Sequence, residues 1–153
     1  MAYTPSDKIL QKYADVLVNF ALGGGKGIKK GEVVRLSTSE SAKPLYIAIC
    51  NAIVDAGGHV ISNYGPDDEH GDKRRNISVS RYFYENAQPH QIEFFPKKYL
   101  TGLAEQIDHS IFILAEANPH ALKGVDPKKI MQRGMALKPY KDMLNRKEWK
   151  KKF

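Results

Sequence analysis

Two stretches of this 153-residue chain hold residues whose types and spacing could do chemistry. The first is Asp67, Asp68, Glu69, His70 and Asp72, within GPDDEHGDK. Carboxylates and an imidazole this close together could bind a divalent cation. They share one short polar loop, however, with no helical i, i+4 spacing and no second cluster. A catalytic metal takes its ligands from rigid elements backed by further hydrogen bonds. The cluster reads as a solvated acidic loop. The second stretch is GGGKG, Gly23 to Gly27. A phosphate loop needs G-x-x-x-x-G-K-[ST] running from a strand into a helix, so that helix N–H groups face the phosphate. Here the glycines leave a helix and enter a strand, and no Ser or Thr follows Lys26. They read as a flexible connector.

The remaining candidates are scattered. His59, His90, His109 and His120 belong to no H-E-x-x-H or H-x-E pattern. His59 and His109 each precede a strand and are expected at its edge. Cys50 has no motif-matched histidine and reads as a small, half-buried side chain. Ser37, Ser39 and Ser41 lack the G-x-S-x-G elbow. Ser39 or Ser41 could meet an anion at a helix start, but capping that helix is the favoured reading. Asn76-Ile77-Ser78 matches a glycosylation acceptor that a cytoplasmic protein would not use. No catalytic or metal-binding residue can be assigned, and no substrate-binding residue is identified.

The elements that would position these residues alternate. From Pro5 to Leu22, Ile9, Tyr13, Val16, Leu17 and Phe20 form the apolar stripe of an amphipathic helix. Ser6 or Thr4 can cap it, and Gly23 suits its end. EVVRLST, 32–38, is a strand. A helix runs from about Pro44 to Ala56, with Leu45, Ala48, Ile49, Ala52, Ile53 and Ala56 inward, and Gly57 and Gly58 stop it. HVISNY, 59–64, is a second strand. Helices are expected over 78–87, with Val79, Tyr82 and Phe83 inward, and over 96–107, with Tyr99, Leu100, Leu103, Ala104 and Ile107 inward. SIFILA, 110–115, reads as a strand buried on both faces. A further strand could lie in QIEFFP, 91–96. Asp126 and Pro127 suit the start of a last helix that Pro139 should kink or divide. This order implies the α/β class: a small, mostly parallel sheet flanked by helices, a Rossmann-like layered sandwich. Ligands of such sheets collect beyond the strand carboxyl ends, here 37–41, 63–72 and 116–120.

Composition narrows the class. With 42% hydrophobic residues the chain can bury a core, and 153 residues suit a single α/β domain. No apolar run is long enough to span a bilayer. The N-terminus is amphipathic rather than a secretory signal. One cysteine excludes an internal disulfide. A cytoplasmic protein that binds no membrane is the expectation. The net charge of +7 is concentrated: residues 123–153 hold eleven Lys and Arg against three acids, and the rest of the chain is close to neutral. Residues 127–153 therefore form a basic C-terminal helical segment. Tyr140, Trp149 and Phe153 among seven basic residues could stack on nucleic acid. No matching patch occurs elsewhere, which favours a solvated or partner-facing helix.

One resemblance covers most of the chain. The passage from YADVLVNFALGGGKGIKKGEVVRLSTSES through AKPLYIAICNAIVDAGGHVI, followed by LAEQIDHSIFILAEANPHALKGVDPKKI, resembles the aminopeptidase T/aminopeptidase S family of two-metal aminopeptidases, also called the thermophilic metalloprotease family. It runs from about Lys12 to Met143, and its strongest marks are Asn118-Pro119, Ala121-Leu122 and Val125-Asp126-Pro127. The resemblance implies a cytoplasmic, dimeric exopeptidase that removes N-terminal residues from peptides. It implies two divalent metals (zinc, cobalt or manganese) that polarise the scissile carbonyl and supply hydroxide. The ligands lie in a C-terminal catalytic domain, so none carries over to a position here and no cofactor is expected in this chain. Residues 1–153 are then the N-terminal domain of a longer enzyme, inactive alone, with the C-terminal domain, peptide substrates and a second copy as partners. The competing reading from the residues is a freestanding α/β module that binds nucleotide or nucleic acid.

Overall fold

The computed structural model describes residues 5–67, 78–115 and 118–151. Their contacts divide the chain into two compact units, 1–67 with 107–116, and 68–106 with 117–153. Among the described residues no helix is long and apolar enough to cross a membrane.

The first unit is built on a three-stranded sheet. β1 (Val33–Ser39) lies between β2 (His59–Gly65) and β3 (His109–Phe112), and both pairings are parallel. The expected α/β class with a small parallel sheet is therefore the observed one. Two helices belong to this unit, α1 (Asp7–Val16) and α2 (Lys43–Asp55). Pro44 sits in the first turn of α2, and Gly57, at φ 79°, follows its end. Ala48, Ile49, Ala52 and Ile53 are buried, as their spacing predicts. They pack with Ala14 and Val18 of the N-terminal helix against Val34, Leu36 and Ile111 of the sheet. Val34 and Leu36 share one face of β1, so the core sits on that side.

Two sequence expectations fail here. On α1 and the π-helical turn that continues it, Leu17–Ala21, the largest apolar residues, Ile9, Tyr13, Val16 and Phe20, are exposed, Phe20 by 64%. The buried side is small: Ala14 and Val18 are fully covered, with Leu10 and Leu17 packed beside them. Apolar residues surround more than half of this helix, so periodicity alone allows two inward faces. Small side chains let α1 approach α2 closely, and that face wins. Likewise β3 is not buried on both faces. Ile111 is covered, but Phe112 is 68% and Leu114 81% exposed. The strand also stops at Phe112 rather than Ala115.

The glycine stretch is a connector, and a tight one. The N-terminal helix closes with a π-helical turn, Leu17–Ala21, in which Leu22 N–H reaches back to the Leu17 carbonyl at 3.1 Å. Gly27 N–H then donates to Leu22 O at 2.9 Å, and Ile28 N–H to Val18 O at 3.0 Å. Gly23 and Gly27 take φ of 63° and 74°. A Cβ on Gly27 would stand 2.5 Å from the Asn19 carbonyl oxygen, so the loop lies directly on the helix end.

The second unit is helical among its described residues: α3 (Val79–Asn86), α4 (Pro89–Ile92), α5 (Lys97–Gln106), α6 (Pro127–Ala136) and α7 (Lys138–Lys151). Ser78 caps α3 by accepting from Arg81 N–H at 3.1 Å. Asp126 caps α6 by accepting from Lys128 N–H at 2.9 Å, with Pro127 in the first turn. The last helical stretch is divided at Leu137, two residues before Pro139. QIEFFP forms no strand: Gln91 and Ile92 finish α4, where Gln88 and Gln91 make a reciprocal cap. Leu100, Leu103 and Ala104 of α5 are buried, but Tyr99 is exposed, as are Val79 and Tyr82 on α3. Tyr is less often fully buried than Leu or Ile, in keeping with Tyr82 and Tyr99.

Gly27→Ala is expected to lower the urea midpoint more than Gly24→Ala. Both residues need positive φ, worth about 1–2 kcal/mol for a side chain, but only Gly27 meets backbone, while Gly24 has open space. Equilibrium unfolding of the two variants checks this.

Candidate functional site

At the carboxyl end of the sheet, β1 runs into a 3-10 turn, Glu40–Ala42, that leads to α2. Ser39 Oγ donates to the Ala115 carbonyl at 2.6 Å and lies 3.2 Å from Ser41 Oγ. Ser41 Oγ has the same carbonyl at 3.3 Å and Asp67 Oδ1 at 3.2 Å. Thus the ends of β1 and of the segment after β3 are tied through two hydroxyls. Neither serine side chain caps a helix: Ala42 stands at the N-cap of α2, and Ser39, at the N-cap of the 3-10 turn, makes no side-chain cap bond. That overturns the capping expectation: the 3-10 turn separates Ser39 from the start of α2, and both hydroxyls meet the Ala115 carbonyl instead.

Beside this cluster, Tyr46 Oη donates to Ser62 Oγ at 2.7 Å, and the Tyr46 and Tyr64 rings lie 5.1 Å apart. Partial burial, the carboxylates of Glu40 and Asp67, and the neighbouring Tyr46 push Tyr64 ionisation up from its ordinary value. Carboxylates from Glu40 and Asp67 make this end of the sheet acidic, which opposes an anion at Ser39 or Ser41. Ser37 is 2% exposed; its hydroxyl has no hydrogen-bond partner among the described residues and takes no part in the cluster. Residues 68–72 and 116–117 of the candidate loops lie outside the described residues, and with them Asp68, Glu69, His70 and Asp72.

The opposite end of the sheet holds the polar pairing that spacing did not reveal. His109 Nε2 lies 2.8 Å from Glu32 Oε2 in a partly buried setting. Lys29 N–H donates to the same carboxylate oxygen at 2.8 Å. Burial raises the Glu32 pKa, but the Lys29 N–H and the hydrogen bond and charge of His109 outweigh it, so the net shift is downward. Next to it Asp108 Oδ2 accepts from Val33 N–H at 2.9 Å, while Asp108 N–H donates to Val33 O at 2.8 Å. The only sequence signal was position: Glu32, Asp108 and His109 each adjoin or begin a strand.

The other sequence candidates stay apart. His59 opens β2 and is exposed, and His90 and His120 are exposed on the second unit. Cys50 is half-buried, and burial raises its thiol pKa although the Tyr46 hydroxyl opposes the shift. Among the described residues no three His, Cys, Asp or Glu side chains converge where an ion could sit. Those residues therefore do not fit a two-metal centre.

The basic segment has an internal use. Lys129 Nζ donates to Tyr84 O at 2.7 Å, near the end of α3. Arg133 Nη1 donates to Ile92 O at 3.3 Å, at the end of α4, and to Phe94 O at 2.6 Å, just beyond it. Lys147 Nζ holds Ala104 O and Glu105 O, both at 2.9 Å, in the last turn of α5. Carbonyls at a helix end lack partners in the helix and carry partial negative charge, which cations complement.

The family model for the thermophilic metalloprotease (M29) matches residues 6–153. The chain belongs to that family. The match takes in both units and the Asn118-Pro119 and Val125-Asp126-Pro127 marks. The solved structure of wild-type AmpT from Thermus thermophilus is similar in fold, with a TM-score of 0.64 at 19% identity. The likeness covers 90% of this chain and 32% of the AmpT chain, so this M29 chain spans about a third of that relative's length. No curated protein matches the sequence significantly.

Because Glu32 is held below its ordinary value of 4.5, its contribution to stability is present above that value and is lost as pH falls through the lowered one. Glu32→Gln should be less stable than the wild type near neutral pH. The gap should close on acidification below the carboxylate range, as read from urea midpoints across that interval.

Proposed function

We propose that residues 1–153 are the N-terminal, non-metal-binding domain of a leucyl-type metallo-aminopeptidase that removes N-terminal residues from peptides in the cytoplasm. The observation that carries this reading is the M29 family match over residues 6–153. The fold likeness to about a third of AmpT supports a longer parent polypeptide. Two divalent metals, zinc, cobalt or manganese, belong in this reading to the C-terminal catalytic domain of the same polypeptide. The parent acts as a homodimer.

Within that enzyme this domain walls the substrate cleft and supports the catalytic domain. The carboxyl ends of the strands are the parts that face the cleft. Ser39, Ser41 and Asp67 hold one loop in place there, and hydrogen bonds that fix loops at strand ends suit a cleft wall.

The test compares this chain with the full encoded polypeptide, each assayed on leucine p-nitroanilide with added divalent metal. Hydrolysis by the longer polypeptide that a chelator abolishes, with background rates for residues 1–153, is the expected outcome. Robust turnover by residues 1–153 alone would refute the division of labour. Absence of turnover by both would remove the aminopeptidase reading.

A further inference from the structure

We draw no further inference here: the strongest candidate, the exposed apolar stripe of Ile9, Tyr13, Val16 and Phe20 along the N-terminal helix, carries none, because nothing in the structure shows what covers it.

Discussion

Parallel strands cannot be joined by a tight turn, and the first unit of this chain is organised by that constraint. β1 has a parallel neighbour on each side, so each step from one strand to the next must leave the sheet and return. The step from β1 to β2 is α2, thirteen residues with a continuous small apolar face. The step from β2 to β3 contains α3, α4 and α5. At the amino end of the sheet, Asp108 uses both its side chain and its backbone on Val33, which sets where β3 begins against β1. At the carboxyl end, Ser39 and Ser41 hold the Ala115 carbonyl. Polar ties at both ends and an apolar ladder of Val34, Leu36 and Ile111 between them define the register.

Electrostatics depends on this arrangement rather than on the total charge. The sheet's two ends both carry carboxylates, but in different roles. Glu32 is ordered by an imidazole and a backbone N–H, whereas Glu40 and Asp67 act on a nearby phenol. In the second unit Lys129, Arg133 and Lys147 serve as C-terminal caps for helices that precede them in the chain. A strongly basic segment looks like a nucleic-acid footprint when it is counted residue by residue. Donors already engaged by carbonyls are less free to neutralise phosphates.

Legibility in the sequence was uneven, and the pattern has a physical basis. Features set by a single residue's own stereochemistry were readable: the positive-φ glycine after the first helix, the Asp126 cap with Pro127, and the division of the last helical stretch beside Pro139. The α2 face was readable because Ala48, Ile49, Ala52 and Ile53 keep one helical period, although Ile47 and Val54 on the other side stay exposed. Family membership was readable from the order of short marks, each weak alone. The serines were misread because Ser favours helix caps in general, while here the Ser39 and Ser41 hydroxyls meet a carbonyl more than seventy positions away.

By itself the sequence determined the alternation of helices and strands, the class of sheet that alternation requires, and the family. Those depend on periodicity and on local backbone preferences, which neighbouring residues carry. Tertiary structure alone decided which side of α1 turns inward, that β1 is the middle strand, and that His109 meets Glu32 across a gap of 77 positions. Each of these is a choice between faces or partners that local chemistry leaves equal. Only the close fit of Ala14 and Val18 against α2, and the pairing of distant strand ends, separates the alternatives in energy.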